Sequence, residues 1–297
     1  MTHRSGFACF VGRPNAGKST LTNALVGTKV AITSSKPQTT RHAIRGIVSR
    51  EDAQLVLIDT PGLHRPRTLL GERLNDIVHA TWSEVDVVGL CVPANEKVGP
   101  GDRFIAAELQ KIAKRTPVIG IVTKTDLVKP EQVIEQLLAL QKVMEFAELI
   151  PVSAVDGFQV GELADLLVGK LPEGPQLYPG GELTDEPELT LVAELIRESA
   201  LEGVRDELPH SIAVTVEEML PHEGRDDMID VHAFLYVERP SQKGIILGHK
   251  GERLREVGAT ARRQIEALLG SKVYLDLHVK VAKDWQRDPR QLRRLGF

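Results

Sequence analysis

Gly12-Arg13-Pro14-Asn15-Ala16-Gly17-Lys18-Ser19 decides the fold of the first half of this chain. Two glycines five positions apart, followed by Lys and Ser, make a phosphate-binding loop when a strand precedes them and a helix follows. Both are predicted here. Phe7–Val11 is a short, nearly all-apolar run, and Lys18–Gly27 carries Leu21, Ala24 and Leu25 at helical spacing. The residue types suit the chemistry. Backbone N–H groups of such a loop curl around a β-phosphate while the helix N-terminus faces it. Gly17 lets the backbone come close, Lys18 reaches the β- and γ-phosphates, and the Ser19 hydroxyl can ligate Mg²⁺, with Thr20 beside it a further nucleotide-binding candidate.

Outward from this loop, apolar runs alternate with amphipathic stretches. Leu55–Ile58, Val87–Val92, Val118–Val122 and Leu149–Val152 read as strands buried on both faces. Arg103–Arg115, Pro130–Phe146 and Gly161–Lys170 read as helices. This order predicts an α/β domain over residues 1–172, a mostly parallel sheet with helices on both faces. Residues 173–187, rich in proline and glycine, are predicted to be a linker. The pattern then changes over 188–297. A helix over Leu189–Leu208, alternating strands over Ile212–Met219 and Met228–Glu238, a helix over Glu252–Leu269 and a strand over Val273–Val281 predict a second, α+β domain. A length of 297 residues agrees with two domains at roughly 150 residues each.

Three further motifs sit at strand ends. Asp59-Thr60-Pro61-Gly62 follows Leu55–Ile58. Its carboxylate is placed to hold Mg²⁺ through water, and its glycine amide to sense a γ-phosphate. Thr123-Lys124-Thr125-Asp126 follows Val118–Val122. The Asp126 carboxylate can accept from guanine N1–H and the 2-amino group, which adenine does not offer, while the Lys124 stem can cover the base. Ser153-Ala154 follows Leu149–Val152, where a backbone N–H can meet guanine O6. Four motifs at the C-terminal ends of strands match the rule for ligands on open α/β sheets. Together they predict a guanine-nucleotide site.

These motifs resemble those of the translation-factor-related GTPases and, within them, the Era GTPases. Lys36-Pro37-Gln38-Thr39-Thr40-Arg41-His42 is similar to the Era switch I signature, and Asp59-Thr60-Pro61-Gly62-Leu63-His64 to its switch II. The resemblance implies a P-loop GTPase domain that cycles between GTP and GDP. It makes Thr40, with Thr39 as the alternative, the switch threonine that contacts Mg²⁺ and γ-phosphate beside Ser19 and Asp59. The base motif begins with Thr123 where the family pattern has Asn. Leu63 stands where small signalling GTPases carry a water-orienting Gln, so slow hydrolysis is expected. In related GTPases an Asn at the position of Asn15 helps hold a potassium ion near the β- and γ-phosphates. Asn15 is therefore a candidate beside Lys18, Thr40 and Gly62 for the hydrolytic machinery, its other reading being a turn-stabilising residue.

In the second half, Ile245-Ile246-Leu247-Gly248-His249-Lys250-Gly251 is a short apolar helix ending in a Gly-x-x-Gly loop, followed by a basic amphipathic helix. It resembles the KH module, in the type II arrangement. Gly248 and Gly251 would let an RNA backbone approach, and His249 and Lys250 supply donors and charge. Charge is partitioned to match. The formal net charge is only −4, yet residues 182–238 hold 3 basic and 16 acidic side chains and residues 239–297 hold 14 and 6. A basic block of this density suggests a polyanion, the alternative being mutual neutralisation of the two blocks. Trp285, in the basic tail, suits either stacking on a base or anchoring the tail. The resemblance, which covers nearly the whole chain, implies a small-subunit ribosome assembly factor that binds the 3′ region of 16S ribosomal RNA. It also implies a cytoplasmic monomer with peripheral association with the cytoplasmic face of the membrane. A GTPase whose basic domain docks on protein or membrane without reading RNA is the competing class.

Composition sets bounds. Apolar residues at 42% and charged residues at 26% exclude a wholly disordered or fibrous chain. No apolar stretch approaches a membrane span, and Met1–Gly6 lacks a basic region followed by a long apolar run, so no secretory signal is expected. Cys9 and Cys91, each inside an apolar run, read as buried small hydrophobes of a reducing compartment. No Cys/His cluster has zinc spacing.

Overall fold

The computed structural model describes residues 3–34, 36, 39–63, 66–204 and 208–297. Pro37, Gln38 and His64 of the quoted switch segments lie outside the described residues. The chain divides into two compact units, one formed largely by residues up to Asp185 and one by Glu186–Phe297.

The first unit has the order β1 (Arg4–Val11), α1 (Lys18–Val26), β2 (Ile44–Ser49), β3 (Ala53–Asp59), α2 (Leu69–Glu84), β4 (Val87–Pro93), α3 (Pro100–Gln110), β5 (Val118–Thr123), α4 (Pro130–Gln141), β6 (Glu148–Pro151) and α5 (Val160–Gly169). Its sheet runs β2-β3-β1-β4-β5-β6, parallel throughout except for β2, which is antiparallel to β3. Side chains alternate between two apolar layers. Cys9, Val11, Val88 and Leu90 enter one, and Ala8, Phe10, Leu55 and Leu57 the other. All residues of β3, β4 and β5 are buried, which is why they read as continuous apolar runs. Cys9 and Cys91 are buried, and burial pushes both thiols up, Cys91 to about 12 although Lys18 pulls it the other way.

Two elements of the first unit were not predicted. β2 is an edge strand interrupted by Gly46, where a Cβ would lie 2.6 Å from a methyl of Val26. Close packing on α1, rather than strand propensity, selects that residue. α2 carries Leu70, Leu74, Val78 and Trp82, all buried and four apart. That spacing is a plain helical signal.

The stretch expected to be a linker lies against the first unit as far as Asp185. Gln54, buried in β3, accepts from the backbone N–H groups of Leu177 and Tyr178 at 2.7 and 2.9 Å. The Ile47 N–H donates to the Leu183 carbonyl, and Arg45 pairs with Asp185 at 3.0 Å.

The second unit continues with α6 (Glu188–Leu201), α7 (Leu208–Ser211), β7 (Ala213–Pro221), β8 (Met228–Val237), α8 (Pro240–Leu247), α9 (Glu252–Leu269), β9 (Lys272–Val281) and α10 (Pro289–Arg294). Its sheet runs β7-β8-β9, β7 antiparallel and β9 parallel to β8. Leu235, Val237 and Val279 on one face of that sheet share an apolar core with Ala200, Ile246 and Val257 from α6, α8 and α9. The helix expected over Leu189–Leu208 ends at Leu201. Glu202 is extended and Gly203 adopts φ 68°, a left-handed conformation that stops a helix; residues 205–207 lie outside the described residues.

Trp285 is wholly buried and its indole N–H donates to the Ser211 carbonyl at 3.0 Å, with the Phe297 ring stacked on it. Of its two predicted roles it takes the anchor, not the base platform. Trp285→Ala should therefore cost about 3–5 kcal/mol, read as a lower urea midpoint for the second unit. Trp285→Phe should cost less.

Candidate functional site

The loop between β1 and α1 is held by its own backbone and by neighbours on three sides. The Ala16 N–H donates to the Arg13 carbonyl at 3.2 Å, and Gly17, with φ 88°, caps the start of α1. Lys18 is buried, its ammonium 3.2 and 3.4 Å from the carbonyls of Arg13 and Gly12. Burial lowers its pKa, and the Asp59 carboxylate opposes that shift. Arg13 turns away from the loop. Its guanidinium meets Asp102 at 2.8 Å and Glu96 at 3.1 Å, and Asp102, fully buried, also accepts from the Gly99 N–H at the start of α3. The motif alone gave no sign of this tie. Asn15 is exposed with φ 63°, a conformation Asn tolerates in turns.

Parallel pairing of β1 with β3 puts Phe10 opposite Asp59 and so brings the Asp59 segment beside the loop. One Asp59 oxygen accepts from Ser19 Oγ at 2.7 Å and from Thr40 Oγ1 at 3.0 Å, and the two hydroxyls are 3.0 Å apart. Three hard oxygen donors converging this way fit Mg²⁺. Of the two threonines considered, Thr40 is the one whose hydroxyl bonds Ser19 and Asp59. Among the described residues no group of three His, Cys, Asp or Glu side chains could hold a metal, so such a site depends on hydroxyls and on phosphate oxygens. Thr60 is buried and donates to the Phe10 carbonyl at 2.9 Å, tying the end of β3 to β1. After Pro61, Gly62 packs on the loop so closely that a Cβ would lie 2.9 Å from the Pro14 nitrogen. Leu63 is buried in the core with Val78 and Trp82.

The base-side motifs enclose a cavity of about 200 Å³ lined by Gly17, Thr20, Thr123, Lys124, Asp126 and Ala154, with apolar walls from Leu21, Leu127 and Val152. Ser153 Oγ donates to Asp126 at 2.9 Å, which fixes the carboxylate. Thr123 Oγ1 donates to the Ala16 carbonyl at 2.7 Å. Thr in place of the family's Asn therefore still ties the base motif to the phosphate loop. Lys124 takes the left-handed conformation, φ 58°, and opens the short 3₁₀ turn that carries Asp126.

In the second unit α8 ends at Gly248, and His249–Gly251 form one 3₁₀ turn before α9. Gly248 has φ 68°, and a Cβ there would lie 2.8 Å from the Arg253 Cβ, so the turn requires glycine. His249 and Lys250 are exposed. The Arg255 guanidinium donates to the Lys250 carbonyl at 3.1 Å, steadying the loop from α9. Among the described residues, close ion pairing between the basic and acidic blocks is sparse. Among the described residues, Lys272 with Asp227 is the ion pair of a Lys or Arg in 239–297 with an acid in 182–238.

Family comparisons agree with both halves. Residues 7–124 match the model of the 50S ribosome-binding GTPase family, and residues 207–286 match that of the KH domain. GTPase Era of Streptomyces coelicolor is 70% identical, covering 99% of this chain and 95% of the relative. GTPase Era of Mycolicibacterium smegmatis is 67% identical over 99% of both. The chain belongs to the Era GTPase family. Among solved structures, an Aquifex aeolicus Era variant bound to GDP·AlF4⁻ superposes with a TM-score of 0.94 at 38% identity. An Era in complex with MgGDPNP and nucleotides 1506–1542 of 16S ribosomal RNA superposes with a TM-score of 0.92 at 37% identity. Each covers 99% of both chains. Like its relatives, this Era-family chain is a GTPase domain followed by a KH domain.

The Thr123 contact yields a direct expectation. Thr123→Val keeps the shape but leaves the buried Ala16 carbonyl without its donor, at about 1–3 kcal/mol. Titration with a fluorescent GDP should show affinity about tenfold weaker.

Proposed function

We propose that this GTPase uses its nucleotide state to time the binding and release of the 3′ region of 16S ribosomal RNA during small-subunit assembly. What carries the reading is similarity along 99% of the chain to an Era in complex with MgGDPNP and that RNA, in a protein whose Gly-x-x-Gly turn exposes His249 and Lys250.

The nucleotide half works mainly by positioning and electrostatics, as phosphoryl transfer demands. Lys18 exchanges loop carbonyls for phosphate oxygens and brings its charge to the β- and γ-phosphates. Ser19, Thr40 and Asp59 would hold Mg²⁺, which when bound offsets phosphate charge. Gly62, seated on Pro14, places a backbone N–H near the γ-phosphate. Asp126, braced by Ser153, accepts from the guanine edge, while Lys124 covers the base and Ala154 offers its N–H to O6. Leu63 is apolar and buried, so it orients no water, and intrinsic hydrolysis is slow. Asn15, exposed on the loop, would by family resemblance help hold a potassium ion whose charge assists the step. Hydrolysis should then be faster in potassium than in sodium at equal ionic strength, and Asn15→Ala should erase the difference while leaving GTP binding largely intact. Equal rates in both salts remove the role.

No helix among the described residues is long and apolar enough to cross a membrane. A cytoplasmic monomer, with peripheral contact at the membrane face, is the state the family resemblance supports for this chain. The RNA reading is tested by filter binding to nucleotides 1506–1542. Affinity should fall steeply with salt, and His249→Ala with Lys250→Ala should weaken it at least tenfold. Full affinity in that double variant would favour a domain that docks on protein or membrane instead.

A further inference from the structure

The outer face of the three-stranded sheet, opposite the helices that carry the Gly-x-x-Gly turn, presents a second cluster with its own chemistry. Successive outward side chains of β9 are Tyr274, Asp276, His278 and Lys280, set by the two-residue strand period. Phe234 and Tyr236 of β8 lie beside them, paired in register with His278 and Lys280. The Lys280 ammonium sits 3.1 Å from the Phe234 ring centroid, and the His278 ring stacks on Phe234 at 5.9 Å. The Arg294 guanidinium lies 5.9 Å from the Tyr236 centroid, which brings α10 to the rim of this face. Arg290 shares the Arg294 side of α10 by its four-residue spacing. Lys280, Arg290 and Arg294 are exposed, and no carboxylate among the described residues lies within ion-pair distance of them.

We propose that this face is a second RNA-contact surface, which takes single-stranded RNA with phosphates on Lys280, Arg290 and Arg294 and a base on the exposed His278–Tyr274 row. It rests on the reading that the second unit binds RNA and adds a surface distinct from the Gly-x-x-Gly turn. Cations beside aromatic rings on an open sheet are the combination that holds a nucleic-acid strand without sequence readout. The helix that carries two of the cations is itself anchored. Asp288 caps α10 by accepting from the Arg290 N–H at 2.8 Å, and Trp285, Leu292 and Leu295 are buried beneath it. This favours RNA over an anionic lipid surface. The apolar side chains of α10 are turned into the protein, which leaves the helix nothing to insert among acyl chains.

The test uses the full-length protein and a fluorescent RNA of nucleotides 1506–1542 of 16S ribosomal RNA, titrated at several salt concentrations. The triple variant Lys280→Gln, Arg290→Gln, Arg294→Gln keeps the aliphatic stems over the rings and removes three charges. It should lose on the order of 10- to 100-fold in affinity, with a salt slope shallower by about 2. It should hydrolyse GTP at the wild-type rate in the absence of RNA. If wild type binds and the triple variant matches it in affinity and slope, the second surface is wrong while the Gly-x-x-Gly reading stands. If wild type fails to bind, the RNA reading falls first and this proposal with it. Flotation with phosphatidylglycerol vesicles separates the remaining case: vesicle binding lost in the variant with RNA affinity unchanged would make this a membrane face and overturn the proposal. Should the triple variant melt early, Arg290→Gln alone carries the measurement, with an expected slope change of about 0.7.

Discussion

The Asp59 carboxylate is where the first unit becomes more than a packed sheet. It ends β3, whose parallel pairing with β1 brings it beside the phosphate loop. There it accepts a hydroxyl from Ser19 at the start of α1 and a second from Thr40 in the segment before β2. Three stretches far apart in sequence thus meet on one oxygen. A hydrogen-bonded carboxylate in a buried site is strong and sensitive to geometry. On the proposed reading Mg²⁺ and a γ-phosphate would act on the same three groups, so that a change at the nucleotide would move the Thr40 segment. Gly62, two residues beyond Thr60, packs closely on the loop at Pro14.

On the base side Ser153, at the end of the next strand, holds the carboxylate of Asp126 in a fixed direction, as the proposed discrimination of guanine requires. The phosphate and base halves are then joined by the Thr123 hydroxyl on the Ala16 carbonyl. The usual Asn can donate twice and accept twice, whereas Thr has a single donor. Here that donor goes to the loop. The substitution keeps the tie that sets the distance between the two halves and gives up the further contacts an amide would make.

Much of this was legible in the sequence because the phosphate loop, the Asp59 motif and the Asp126 motif each need fixed residue types at a strand end. The buried central strands were visible for a different reason: helices on both faces leave no polar alternation in them. What escaped depended on contacts distant in sequence. β2 has a glycine because α1 presses on it, and the Arg13 tie to Asp102 spans 89 positions. Proline and glycine in 173–185 suggested a free linker, yet backbone groups there bond Gln54 and the edge strand. Local composition reports stiffness, not what the segment lies on. α2 is the exception, since its four-residue spacing was present to be read.

The second unit shows why charge must be placed before it is interpreted. The net charge of −4 conceals an acidic and a basic block, and mutual neutralisation would have made the partition uninformative. Two of the acids have partners within their own block. Glu194 is buried against Arg197 at 2.6 Å within α6, and Asp230 meets His222 at 2.6 Å. The cations of α9 and α10 stay largely in solvent because the apolar sides of those helices, Val257, Ala261 and Ile265 in one and Leu292 in the other, face the core. An unneutralised positive surface raises the local concentration of polyanions and speeds their capture. It confers no sequence selection by itself. Selection has to come from places where the backbone can approach a base or a ring can stack on one, and the Gly248–Gly251 turn meets that requirement because no side chain at Gly248 could fit beneath Arg253.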